Sequence, residues 1–119
     1  MADGSTTVST FPNVPVYVSV TTNAPRTQRA TIVADGKTSG PFTGGGERNL
    51  IGSDSIKSGS GNVQVTLEYD GGGGTWVGSS IRTGGPYMIG ASGFMIMVGE
   101  NGDDSDFNDI VVQFSWKSR

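Results

Sequence analysis

Val63, Val65, Leu67 and Tyr69 alternate with Gln64, Thr66 and Glu68, and a period of two of this kind makes a strand with one buried and one wet face. Val14 to Val20 repeats the pattern around Tyr17. Ala30 to Ala34 carries Ile32 and Val33 up to an Asp35-Gly36 pair, a dipeptide suited to a tight hairpin turn. Phe94 to Val98 is apolar without interruption, which predicts a central strand covered on both faces. Ile110, Val112, Phe114 and Trp116 alternate with Val111, Gln113 and Ser115 and predict a last strand with a heavy aromatic side. Short strands at this spacing, divided by glycine-rich turns, predict an all-β fold, an antiparallel β-sandwich of about eight to nine short strands.

Composition sharpens this picture. Hydrophobic residues make up 34% and charged residues 16% of 119 positions, and 20 glycines are spread through the chain. That is poor helix material, and its length suits a single domain, residues 1–119, around one core. The Gly71–Gly74 run reads as a hairpin tip. Gly44, Gly45 and Gly46 read as turn glycines, because neither run precedes the Lys-Ser/Thr pair and helix of a phosphate cradle.

Cysteine and histidine are both absent. Disulfides, thiolate chemistry, Ser-His-Asp and Cys-His catalysis and His-ligated metals are thereby excluded. The N-terminal segment has neither the basic start nor the apolar stretch of a signal peptide, and no apolar run approaches the ~20 residues of a membrane span. A soluble protein without membrane insertion is expected, cytoplasmic or released to the cell surface by another route.

Charge concentrates in one place. No Lys or Arg occurs between Arg82 and Lys117, while Glu100, Asp103, Asp104, Asp106 and Asp109 crowd between the two most apolar strands. Two such charges about 5 Å apart repel by roughly 0.8 kcal/mol even in water, so the segment calls for a cation. It would repel a nucleic-acid backbone. With Asn101, Ser105 and Asn108 it offers only hard oxygen donors, which suits calcium and disfavours zinc or copper. An EF-hand starts well at Asp104-x-Asp106-x-Asn108 but fails at its sixth position, Asp109, where Gly is needed, and at its twelfth, Ser115, where Glu is needed. A glycoside hydrolase would need one carboxylic acid kept protonated, which calcium saturation opposes, so no enzyme activity is expected.

The run Glu100, Gly102, Asp104, Asp106, Phe107, Asn108, Asp109 resembles the acidic loop of the two-calcium bacterial fucose- and mannose-binding lectins, the LecB-type family. Trp116 in the last strand, the ten residues that follow Asp109, and Asn23 followed by Ala24, Pro25 and Arg26 also match that family. The resemblance implies a calcium-dependent lectin in which two adjacent calcium ions are held by Asn23, Glu100, Asp104, Asp106, Asn108 and Asp109, with Asp106 and Asp109 shared. It implies further that the terminal carboxylate of Arg119 completes the site of a neighbouring subunit, so that the protein is a homo-oligomer, dimer or tetramer. Sugar hydroxyls would replace water on the ions, and Ala24, Pro25, Arg26, Asn101, Asp104, Asp106 and Asp109 would surround a mannose- or fucose-type glycan. In the family Ala at the first position of the short loop favours mannose, so Ala24 implies a mannose preference. The alternative function is a calcium-clipped β-sandwich module for adhesion or interaction that binds no sugar.

Overall fold

The computed structural model describes residues 4–101 and 109–118, and among these it contains eight antiparallel strands and no helix. They are β1 (Ser5–Ser9), β2 (Pro15–Ala34), β3 (Lys37–Lys57), β4 (Asn62–Asp70), β5 (Trp76–Gly78), β6 (Ser80–Ile89), β7 (Ser92–Glu100) and β8 (Ile110–Lys117). Among the described residues no helix is long and apolar enough to cross a membrane.

The sandwich follows from one strand serving two layers. The first half of β2 pairs with β8 (Val16↔Trp116 to Thr22↔Ile110), and β8 pairs in turn with β7 and β7 with β6. The second half of β2 pairs with β4 (Gln28↔Tyr69 to Ala34↔Val63), which is flanked by β1 and β5. Register shifts between Thr22 and Gln28 mark where β2 leaves one sheet for the other, and β3 follows it along its length with matching irregularities. Two predicted short strands, around Tyr17 and Ile32, are thus one 20-residue strand, and its partner β3 has 21 residues. The hairpin turn between them falls at Asp35-Gly36, both at positive φ.

Between the layers lies the core: Val16, Val18 and Val20, then Ala30, Ile32 and Ala34 from β2; Val63, Val65 and Leu67 from β4; Met95 and Met97 from β7; and Ile110, Val112, Phe114 and Trp116 from β8. The alternation read in β4 and β8 is the alternation buried. Trp116 lies flat over Gly93, where a Cβ would stand 2.2 Å from the indole ring, so that glycine is set by close packing. β7 differs from expectation. It is an interior strand of its sheet, yet Phe94 remains 41% exposed, because among the described residues no second layer covers its outward face.

Of the two glycine runs read as turns, one is a turn and the other is not. Gly71 donates its N–H to the Thr75 carbonyl and closes the β4–β5 hairpin as predicted. Gly44, Gly45 and Gly46 lie instead inside β3, opposite the bend of β2. There the need is close approach: a Cβ on Gly45 would stand 2.9 Å from the Arg26 carbonyl oxygen.

Candidate functional site

The polar interior of the domain gathers at the bend of β2. Thr22, Gln28, Ser79, Glu100, Asn101 and Asp109 are buried towards this end, with Ser39 and Ser58 buried elsewhere, whereas the core cluster is apolar throughout. Buried polar groups are retained only where something satisfies them.

β7 and β8 deliver the two ends of the acidic segment to this place. Gly99 pairs with Ile110, so Glu100 and Asp109 leave the sheet side by side, each 5% exposed. The Asn101 N–H donates to Asp109 Oδ2 at 2.7 Å and ties the two ends together. The Asn23 N–H donates to the Asp109 carbonyl at 2.9 Å, which extends the β2–β8 ladder one step past Thr22↔Ile110. The structure therefore brings together three of the sequence-predicted metal ligands, Asn23, Glu100 and Asp109. Asp104, Asp106, Asn108 and Arg119 lie outside the described residues.

Asn23 is oriented by a contact that the sequence did not suggest. Its Oδ1 accepts the Arg48 N–H at 3.0 Å, and Arg48 takes a positive φ of 49° to present it. Thr22, fully buried, donates its hydroxyl to the Gly46 carbonyl at 2.9 Å and holds β3 against the bend.

Ala24 is buried and pairs with Gly46, while Pro25 and Arg26 stand exposed at the rim. Arg26 reaches across to β4: Nη1 donates to the Asp70 carbonyl at 3.2 Å, and the guanidinium lies 5.9 Å from the centre of the Tyr69 ring, within cation–π range. Beside it, Arg29 stacks 4.1 Å over Trp76 and pairs with Glu68 at 2.8 Å, an outward-facing structural contact. The Asp70 carboxylate is engaged with its own hairpin, accepting from the Gly72 and Gly74 amides at 2.9 and 3.2 Å. Sequence reasoning missed Arg48, Thr22, Gln28 and the Asp70 carbonyl, since these act through main-chain contacts that leave no motif.

Among the described residues no three carboxylates cluster closely enough to hold a metal by themselves. Two buried carboxylates at the ends of β7 and β8 and a carboxamide at the bend of β2, all oxygen donors, nonetheless fit a hard cation. Burying two anions side by side is unfavourable without one.

The sequence profile of a family described as fucose-binding lectin II (PA-IIL) matches residues 8–118. Among solved structures, the chain is similar to the Chromobacterium violaceum lectin CV2L in complex with alpha-methyl-fucoside, at 26% identity over 98% of this chain and 97% of that one, with a TM-score of 0.79. It is similar also to the Ralstonia solanacearum high-affinity mannose-binding lectin, at 25% identity over 92% of this chain and 94% of that one, TM-score 0.79. A third similarity is to the C-terminal domain of the BC2L-C lectin from Burkholderia cenocepacia, at 28% identity over 96% and 95% of the two chains, TM-score 0.72. No curated protein sequence matches the chain.

Proposed function

Since the chain belongs to the fucose-binding lectin II (PA-IIL) family, we propose that it is a calcium-dependent lectin that binds mannose- or fucose-type sugars through two adjacent calcium ions. The observation that carries this reading is the meeting of Asn23 with both ends of the acidic segment, Glu100 and Asp109, in a buried polar layer at one end of the sandwich.

Asn23, Glu100, Asp104, Asp106, Asn108 and Asp109 would hold the ions, and the ions supply open coordination positions for sugar hydroxyls. The chain's own contribution is to orient its donors and to accept hydroxyl protons on its carboxylates, in charge-assisted hydrogen bonds of about 1.5–3 kcal/mol each. Ala24, Pro25, Arg26 and Asn101 would face the outer edge of the sugar. Ala24 offers no hydroxyl there, which supports the preference for mannose. No residue is assigned a catalytic role.

The same reading makes the protein a homo-oligomer. On the outward face of the β8 sheet a groove of about 430 Å³ is lined by Tyr17, Ser19, Phe94, Ile96, Gln113 and Ser115, apolar or uncharged side chains throughout. The groove itself sets no charged side chain against its own copy, and a two-fold axis near Gln113 would lay the two β8 strands antiparallel. The C-terminal end of each β8 would then run towards the end of its partner at which β8 begins, where the Arg119 carboxylate would complete the calcium site.

Titration calorimetry with mannose and fucose, in excess calcium and in chelator, tests the proposal. Binding of either sugar in calcium and its loss in chelator is the expected result. Calcium stabilisation with no sugar binding would instead make the site a structural clip.

A further inference from the structure

The main chain of the Ala24–Arg26 segment is fixed from two sides, and neither holder belongs to the set that would face a sugar. From the core side comes Gln28, wholly buried at 0% exposure, whose Nε2 turns back to donate to the Arg26 carbonyl at 3.3 Å. From β3 comes Gly45, packed so closely that a Cβ would stand 2.9 Å from that same carbonyl oxygen and 3.4 Å from Thr27 Cα.

Both residues are poor choices for a strand unless this contact matters. The other core-facing positions of the second half of β2 are Ala30, Ile32 and Ala34, where packing alone is served by aliphatic side chains. The Gln28 amide sits in the same row with Oε1 meeting no donor among the described residues, an unfavourable state for a buried carbonyl group. What it gains is the bond to Arg26. Gly45 does not have a left-handed φ, so its lack of a side chain answers to the close approach of the Arg26 carbonyl and not to a turn.

The far end of Arg26 is also held, through Nη1 on the Asp70 carbonyl and the guanidinium near Tyr69. A shift of its carbonyl is therefore passed along the backbone towards Pro25 and Ala24. We propose that Gln28 and Gly45 are positioning residues for sugar choice: acting through the Arg26 carbonyl, they set where Ala24, Pro25 and Arg26 stand against the bound sugar. This rests on the lectin reading above. Contacts between calcium and paired hydroxyls are common to mannose- and fucose-type sugars, so discrimination lies with the edge contacts, and those are what a displaced segment changes.

The test compares wild type with Gln28→Met, which keeps the volume and removes the donor, and with Gly45→Ala, which pushes on the same carbonyl from the other side. Each is titrated with methyl mannoside and methyl fucoside in excess calcium, and each is melted with calcium and with chelator. The expected result is a mannose-to-fucose affinity ratio moved by about threefold or more in both variants, with the calcium-induced rise in melting temperature kept. A merely structural role would lower the melting temperature in chelator and leave the ratio alone, and an unchanged ratio in folded variants overturns the proposal. Should Gln28→Met fail to fold, Gly45→Ala decides. In wild type, the Gln28 side-chain amide resonances must also shift on saturation with sugar, and resonances that stay fixed overturn the proposal too. Wild-type protein that binds neither sugar in calcium overturns the lectin reading and this inference together, whereas sugar binding with fixed ratios overturns only the inference.

Discussion

Asp109 has one observed role and one proposed role, and a pair of substitutions separates them. Its Oδ2 accepts the buried Asn101 N–H at 2.7 Å, and its charge is one of two carboxylates proposed for the calcium site at the ends of β7 and β8. Asp109→Asn keeps an oxygen for the amide and removes the charge, whereas Asp109→Ala removes both. For a 119-residue chain the entropy of unfolding is about 0.25 kcal/mol/K, so 1 kcal/mol moves the melting temperature by about 4 °C. Calcium at about a hundred times its dissociation constant stabilises by about 2.7 kcal/mol, or roughly 11 °C. Even partners outside the ligand set cost about 10- to 100-fold in metal affinity. A hundredfold loss on Asp109→Asn would leave only about 0.4 kcal/mol at the same calcium level, a shift of about 2 °C. In chelator the Asn variant should melt within about 4 °C of wild type, because a neutral hydrogen bond replaces a charge-assisted one while the repulsion from Glu100 is relieved. Asp109→Ala leaves a buried N–H without its acceptor and should lose about 1–3 kcal/mol in chelator as well, or roughly 4–12 °C. Thermal melts of the three proteins in calcium and in chelator read all of this. An Asn variant that keeps the full wild-type response to calcium would remove Asp109 from the metal site.

Three other outcomes follow from the packing and the charges. Gly93→Ala drives a methyl group into the Trp116 indole, 2.2 Å away, and should cost about 1–3 kcal/mol or more by chemical denaturation, in calcium and chelator alike. Phe94→Arg, which places a cation in the uncharged groove of the outer face, should give a folded monomer by light scattering with weakened sugar affinity; an oligomer of unchanged size would show that this face is not the interface. Asp54 accepts hydrogen bonds from the Ser39 hydroxyl and the Ser55 amide, which hold its carboxyl below the ordinary carboxylate range. A depressed folded-state pKa stabilises at neutral pH, and the contribution is lost as pH falls through that lowered value. Asp54→Asn should accordingly flatten the acid limb of the stability profile and differ least from wild type at the acid end, as followed by urea melts across pH.

The sequence displayed what is periodic and what is chemically crowded. The alternation of Val63, Val65 and Leu67 and of Ile110 to Trp116 is core, with Tyr69 half-buried at the end of its row, because a strand with one wet face writes its orientation into every second residue. The acidic segment stood out through its oxygen donors, and Asn23 through the family resemblance. Illegible were features that depend on partners far along the chain. β2 runs through Asn23-Ala24-Pro25-Arg26-Thr27, where no period is kept, because pairing with β3 holds it on both sides of the bend, at Ala24 and again from Gln28. Phe94 and Ile96 read as fully covered, and an apolar run does not say whether its second cover comes from the same chain or from another copy. Gln28 looked like any polar residue between two arginines. Only the fold reveals that it faces inward and holds a carbonyl two residues behind it.

That β2 belongs to both sheets limits how such a site can diversify. Its first half fixes the register against β8 and its second half the register against β4, with the residues proposed to face a sugar at the crossing between them. Adding or deleting one residue at the crossing would slip one half relative to the other and turn a whole row of valines outward. Descendants of this chain are thus free to exchange side chains at positions 24–26 but not to lengthen the segment, and new sugar preferences should arise there by substitution, with insertions confined to hairpin tips such as Gly71–Gly74.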